Sequence, residues 1–126
     1  MIINRVKFKN CKMLGVTFID ASLNNISFEY CNAKYLNFSN AKMKNIYIKN
    51  SDLSENRFMN TEIKNIELEE VNFNHAEFIK TKLKGVDFSK SNIGMTNFDF
   101  ESVNGIQINC IQSSTLISML GVQIKD

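Results

Sequence analysis

Residues 86–98 read Val-Asp-Phe-Ser-Lys, Ser-Asn-Ile-Gly-Met, Thr-Asn-Phe, and in this stretch a bulky apolar residue recurs at every fifth position. The residue two places before each of them is Val, Ser or Thr. Extended in both directions, the register gives an unbroken series of apolar central positions that includes every Phe but one. These positions are Ile3, Phe8, Met13, Phe18, Leu23, Phe28, Ala33, Phe38, Met43, Ile48, Leu53, Phe58, Ile63, Leu68, Phe73, Phe78, Leu83, Phe88, Ile93, Phe98, Val103 and Ile108. Self-similarity at a fixed period is typical of a repeat architecture.

A period of five fits neither the periodicity of a helix nor the two-residue alternation of a plain strand. It fits a short strand that ends in a turn and starts again, with the central residue and the residue two before it facing inward. The position just before each repeat is rich in residues that accept turn conformations at low cost. These are Asn10, Asn25, Asn40, Asn45, Asn50, Asn60 and Asn65, with Gly15, Gly85 and Gly105. Each pentapeptide is therefore predicted to form one side of a closed coil.

The repeats resemble the motif of the pentapeptide-repeat family, Ala-(Asp/Asn)-Leu-x-x. The best matches are Ala21-Ser22-Leu23, Ser51-Asp52-Leu53, Val71-Asn72-Phe73, Val86-Asp87-Phe88 and Ser91-Asn92-Ile93. The resemblance covers residues 2 to about 110 and implies an all-β fold, a right-handed quadrilateral β-helix of about five coils with four pentapeptides in each. The middle position departs from the motif at Lys12, Lys42, Arg57 and Lys82, which argues against a function that needs an acidic surface.

The period ends near residue 110, so we divide the chain into a β-helix at residues 1–110 and a C-terminal segment at residues 111–126. Ser113 or Ser114 is a candidate N-cap and Gly121 a candidate stop for a short apolar helix, after which residues 122–124 can form a strand. The segment is similar to the ending of many pentapeptide-repeat proteins, including the quinolone-resistance type, where it caps the coil and forms a two-fold dimer. We expect a homodimer through Leu116, Ile117, Met119, Leu120 and Val122, with a capped monomer as the alternative.

Outward residues can be sorted by taking every twentieth position, because these stack on one face of the coil. A basic ladder consists of Lys42, Lys44, Lys64, Lys82 and Lys84. An apolar strip consists of Ile19, Met59 and Ile79. An acidic patch consists of Glu67, Glu69, Glu70 and Asp87. A charged ladder on a solenoid is usually a solvated face, but these three surfaces are the candidate partner faces, the basic ladder for an anion and the strip for a protein.

The pattern contains no catalytic constellation. His75 is the only histidine and falls at an outward turn position, and we find neither a Gly-rich phosphate loop nor Cys and His at metal-ligand spacing. We therefore expect no enzyme activity and no cofactor or metal. The net charge of +2 and the lack of interleaved aromatic residues argue against nucleic acid as a partner. No apolar run has the length of a membrane span.

The three cysteines do not form a disulfide framework. Cys11 and Cys31 are one coil apart, close enough in principle for a bridge, but a free cysteine behaves as a small buried hydrophobe. We expect reduced thiols and a cytoplasmic location.

Two classes of function fit this fold. The first is a non-enzymatic scaffold that binds a protein or another macromolecule through its flat faces. The alternative, implied by the family resemblance, is a modulator of a type II topoisomerase such as DNA gyrase that mimics DNA. The fold alone does not choose between them.

Overall fold

A computed structural model describes residues 1–125 of the chain. Most of that range is parallel β-structure, and two short helices follow it. The strands are β1 (Ile2–Lys9), β2 (Ser22–Glu29), β3 (Lys42–Lys49), β4 (Arg57–Met59), β5 (Glu62–Glu69), β6 (Glu77–Ile79) and β7 (Asn97–Phe98). The helices are α1 (Phe100–Val103) and α2 (Cys110–Met119).

The strands wind into a right-handed quadrilateral β-helix, as the sequence predicted. One sheet has the order β1-β2-β3-β5 and covers the first two faces, because each of its strands continues around a corner. A second sheet, β4-β6-β7, lies on the fourth face, and single bridges such as Asn32↔Asp52 form the third. All pairs are parallel with a register of twenty residues, for example Leu23↔Met43 and Phe58↔Phe78. Four pentapeptides therefore make one coil.

Left-handed backbone makes the corners. Every fifth residue from position 5 to position 85 has a positive φ, with values between 47° and 82°. Asn and Gly occupy many of these positions because they adopt this conformation with little strain. On the corner between the first two faces, asparagine side chains also bond to one another along the coil axis. Asn45 Nδ2 donates to Asn25 Oδ1 at 3.2 Å, and Asn65 Nδ2 donates to Asn45 Oδ1 at 2.8 Å.

The predicted central positions form the core. From Met13 to Ile93 all of them are buried except Ile63, which is half-buried, and the positions at either end are half-buried as well. One column is a stack of five rings: Phe18, Phe38, Phe58, Phe78 and Phe98. Their successive centroids are 5.2, 4.9, 4.5 and 5.2 Å apart. The burial pattern confirms the five-residue register.

The second inward position is the residue two places before each central residue. Hydroxyl groups at this position accept hydrogen bonds from backbone N–H groups that do not take part in strand pairing. Ser51 Oγ accepts from the Cys31 N–H at 3.1 Å, and Thr81 Oγ1 accepts from the Thr61 N–H at 3.2 Å. Small polar residues recur at these positions because a buried amide without a partner is costly. Cys31 is buried, its thiol is free, and burial raises its pKa.

The chain after the last regular coil differs from the expectation in three respects. The helix α2 begins at Cys110, not at Ser113 or Ser114, because Asn109 and Gln112 form a capping box. Residues 122–124 form no strand and follow a turn at Gly121, whose φ is +80°. The short helix α1 was not predicted; it interrupts the repeat where Asp99 caps its first turn.

The ladder is open between β5 and residues 82–89. In regular coils the N–H of each central residue donates to the next coil, as Leu53 does to Asn72 O and Phe73 to Asn92 O, both at 2.8 Å. Within residues 1–125, neither Ile63 nor Leu68 makes this bond, and no bridge joins β5 to residues 82–89. We call this opening the seam.

Both ends of the seam are closed. At one end the Thr61 N–H donates to Thr81 Oγ1, and at the other the Glu70 N–H donates to Lys90 O at 3.0 Å. The ladder is therefore interrupted over two faces, while the other two faces of the coil remain paired.

Candidate binding surfaces

The basic ladder lies on the first face, and all five of its lysines are exposed. Lys44 is directly opposite Lys64, whereas Lys42 is opposite Glu62. Lys82 and Lys84 lie on the far side of the seam from Lys64. The ladder therefore lies on one face, as its twenty-residue spacing implies, and an opening that the sequence did not reveal crosses it.

The acidic patch is divided by a corner. Glu67, Glu69 and Asp87 line one groove of about 240 Å³ on the second face, together with Tyr47 and Lys90. Glu70 sits at the next corner with a φ of 53° and lines a different groove. The structure brings three of the four predicted acidic residues together.

Two carboxylates of this acidic groove accept hydrogen bonds from neighbouring residues. Tyr47 Oη donates to Glu69 Oε2 at 3.1 Å, and both burial and this carboxylate raise the pKa of Tyr47. The Ser89 side chain and its backbone N–H, the latter at 2.8 Å from Asp87 Oδ1, hold the pKa of Asp87 below its usual value. Asp87 is therefore ionised at neutral pH and the groove keeps its negative charge.

A column of alternating charge on the second face was not recognised from the sequence. Lys9, Glu29, Lys49 and Glu69 are paired in register from β1 to β5. Lys7 Nζ also lies 3.0 Å from Glu29 Oε2, and its hydrogen bond lowers the pKa of Glu29. Taking every twentieth position of this column would have revealed the alternation, which prevents a continuous acidic surface.

The apolar strip is only partly continuous. Met59 and Ile79 are directly opposite each other on the fourth face, with Met59 41% exposed. Ile19 is exposed but separated from them by Ser39, whose hydroxyl bonds to Asn37 Oδ1 at 2.6 Å. The strip is therefore a pair of side chains with a detached third member.

The helix α2 closes the C-terminal end of the coil. Gln112 Nε2 donates to Phe88 O at 2.9 Å and to Ser91 O at 2.6 Å, so the helix is fixed to the last full coil. Leu116 and Ile117 are half-buried against it.

The outer side of this C-terminal segment remains apolar and accessible. Met119 and Leu120 are each 37% exposed, and Val122 is 55% exposed. Leu116, Met119 and Leu120 line a groove of about 230 Å³ together with Met95 and Phe98. The segment thus combines a capping side with an exposed apolar side.

Other reactive side chains are dispersed. His75 lies exposed at a corner with a φ of 61°, and Cys110 is exposed at the start of α2. Among residues 1–125, no three His, Cys, Asp or Glu side chains come close enough together to hold a metal ion. In the same part of the chain, neither helix is long and apolar enough to cross a membrane.

Comparisons with known proteins agree with the repeat. The sequence model of the pentapeptide repeat region matches residues 1–78, and that of the pentapeptide repeats (8 copies) matches residues 66–99. No curated protein sequence matches the chain.

Solved structures with this architecture are similar at low sequence identity. One is a trypsin-treated variant of QnrB1, a plasmid-mediated fluoroquinolone resistance protein, with 20% identity over 99% of this chain and 96% of that one and a TM-score of 0.46. Another is the pentapeptide repeat protein Rfr23 from the cyanobacterium Cyanothece 51142, with 16% identity over 82% of this chain and 88% of that one and a TM-score of 0.34.

Proposed function

The chain belongs to the pentapeptide-repeat family, and from this premise we propose that it is a non-enzymatic scaffold that binds a protein partner through the faces of its β-helix. The observation that carries the proposal is the register of the outward side chains. Because every coil repeats after twenty residues, outward residues such as Lys44 and Lys64 form columns on a rigid, nearly flat face. Such a surface suits an extended protein contact. The free thiols of residues 1–125 suit a cytoplasmic site of action.

The faces differ enough to assign the contact by mutation. The first face carries the basic ladder, whereas the fourth carries Met59 and Ile79. Immobilised parent protein would be cross-linked in native lysate, and the bound proteins identified by mass spectrometry. Two variants test one face each: Lys42→Glu/Lys44→Glu, and Met59→Asp/Ile79→Asp. A partner lost with one pair and retained with the other supports the proposal. A bound protein that both variants retain equally would contradict a contact through the first or the fourth face.

The C-terminal segment supports a homodimer as part of this proposal. Met119, Leu120 and Val122 are exposed together beside a groove, and a second copy would cover them. Light scattering should show a dimer for the parent protein and a monomer for Leu120→Asp. Ile2→Asp is the matched control, because Ile2 is equally apolar, 79% exposed and at the other end of the coil. A parent protein that is monomeric at tens of micromolar would contradict the dimer and leave the capped monomer.

DNA mimicry of the topoisomerase kind ranks below the scaffold. Such mimicry needs a long surface of repeated negative charge, because the DNA groove of the enzyme is basic. Here the first face is basic and the column from Lys9 to Glu69 alternates in sign. A gyrase supercoiling assay with and without a quinolone should therefore show no effect of the protein. Inhibition of supercoiling or protection from the drug would reverse the ranking.

A further inference from the structure

The seam exposes backbone groups that regular coils keep paired. On its first edge, the N–H groups of Ile63 and Leu68 have no acceptor within residues 1–125, although their counterparts Leu53 and Phe73 bond to the next coil. On its second edge, Lys82 is equivalent to Glu62, whose N–H donates to Ala41 O at 2.9 Å. In the described part of the chain, the Lys82 N–H makes no such bond. An open strand edge of this kind is a template for a further strand.

The core is also less completely covered at this place. Ile63 and Ile66 are half-buried, whereas the equivalent Met43 and Ile46 in β3 are buried. Beneath them the apolar core, including Leu83, remains buried. A strand that paired with β5 would place every second side chain over Ile63 and Ile66.

The outer rim of the seam changes sign along its length. On the first face it forms a groove of about 440 Å³ lined by Lys64, Lys80 and Lys82, against the two acids Glu62 and Glu101. On the second face, Glu67, Glu69 and Asp87 outnumber Lys90. The seam is therefore net positive where β5 begins and net negative where it ends.

We propose that the seam binds an extended segment of a protein partner by strand addition, parallel to β5, with an acidic N-terminal half and a basic C-terminal half. Parallel pairing follows the direction of both edges of the seam. Opposite charges then meet on both faces, and the backbone of the segment pairs with β5. Both ends of the seam are closed, so the bound segment cannot continue along the seam beyond β5. The partner chain therefore turns away from the coil at both ends of this segment. This inference rests on the proposed protein-binding function and gives it a site and a partner class.

The test uses fluorescent peptides as long as β5 and the complete protein. The probe has Glu in its first positions, Lys in its last positions, and Val, Ser and Thr between them; the control peptide has the charges exchanged. Anisotropy should show that the probe binds at least about tenfold more tightly than the control. N-methylation of alternate backbone amides of the probe should abolish binding, since it removes the donors of the new ladder. Equal binding of the two charge orders would overturn the proposal.

Charge variants locate the binding. Lys64→Glu/Lys82→Glu should weaken the probe about tenfold or more and should improve binding of the charge-exchanged control. Lys44→Glu is the matched control, because Lys44 shares the face and column of Lys64 but does not line the groove, and we expect no more than a small change. An equal loss in Lys44→Glu would overturn the assignment to the seam. If the probe does not bind to the parent protein, the seam is not a binding site. The scaffold function would still be supported if the cross-linking experiment identifies a partner that binds through one of the faces.

Discussion

The coils formed by β2 and β3 and the coils on either side of the seam are built from the same five-residue repeat, yet only the first pair is fully joined. The two strands pair from Ser22↔Lys42 to Glu29↔Lys49 on both sides of the corner at Asn25 and Asn45. The strand β5 has the same length and pairs equally well with β3, but its other edge is open over both faces. Both pairs of coils thus have apolar residues at their inward positions, but backbone hydrogen bonds fully join the coils in only one of the two pairs.

Outward and corner residues account for this difference. The asparagine column of the first corner ends at Gly85, which has no side-chain amide to bond to Asn65. Like charges share columns across the seam, since Lys64 precedes Lys84 and Glu67 precedes Asp87 by one coil. Lys44 opposite Lys64 shows that one such pair is tolerated where the asparagine column continues.

The last coil is bonded to the corner at Gly85. The Gly85 N–H donates to Gly105 O at 2.9 Å. A Cβ on Gly105 would lie 2.8 Å from Lys84 Cγ, so only glycine permits this approach. We therefore expect the apolar period to specify the coil, and the corner and surface residues to decide whether neighbouring coils join.

The largest expected effect is a loss of stability on truncating a core ring, which should be greater in the regular coils than in the first coil. Phe58→Ala removes a fully buried ring between Phe38 and Phe78 and should destabilise the protein by about 3–5 kcal/mol through cavity formation. Phe8→Ala is the matched control at the half-buried first coil, where we expect about 2 kcal/mol or less. Urea unfolding of both variants measures the difference. A loss below about 1 kcal/mol for Phe58→Ala would mean that the register is wrong.

A smaller effect is expected at the asparagine corner. Asn45→Ala breaks two side-chain hydrogen bonds and places alanine at a φ of 57°, so it should cost about 2 kcal/mol. Gly85→Asn should instead stabilise by about 0.5–1 kcal/mol, because asparagine accepts left-handed backbone and extends the column across the seam. The space at Gly85 is open to a side chain. Thermal unfolding of both variants tests the sign; destabilisation by Gly85→Asn would show that the missing amide does not hold the seam open.

A comparably small effect is expected at the cap of α1, where the repeat stops. Asp99 Oδ1 accepts from the Ser102 N–H at 2.9 Å and Oδ2 from the Lys80 N–H at 2.8 Å. Burial works against ionisation, but these bonds outweigh it and lower the pKa of Asp99. Its stabilising effect is therefore complete above the unfolded pKa of about 4 and is lost as the pH falls through the lower folded value.

Two variants separate the cap from the charge of Asp99. Asp99→Ala should cost about 1 kcal/mol at neutral pH. Asp99→Asn keeps the oxygen that accepts from the Ser102 N–H but loses the acceptor for the Lys80 N–H, so it should retain only part of the cap while losing this contribution to acid sensitivity. Urea unfolding at neutral pH and near pH 3 measures both quantities. An acid dependence in Asp99→Asn as steep as in the parent protein would contradict the role given to the carboxylate.

The coil and the seam differed in how far the sequence predicted them. Side chains twenty residues apart stack on one another. The composition of the core, the corners and the basic ladder could therefore be predicted from residue numbers alone. The start of α2 was predicted too late, because Ser113 and Ser114 are also typical N-cap residues. Asn109 and Gln112, three residues apart, are the capping box that the structure uses. The seam was not predictable in this way, because the five-residue period continues unbroken through residues 82–89. No single residue signals it.

Amide hydrogen exchange of the free protein tests the difference between joined and open coils most directly. The amides of Leu23 and Phe28 lie in a complete ladder, and Ile63 and Leu68 occupy the equivalent positions beside the seam. We predict that Ile63 and Leu68 exchange at least about a hundredfold faster than these counterparts, because water reaches unpaired N–H groups without any opening of the coil. Equal protection at all four amides would show that the seam is closed in solution and would contradict the account.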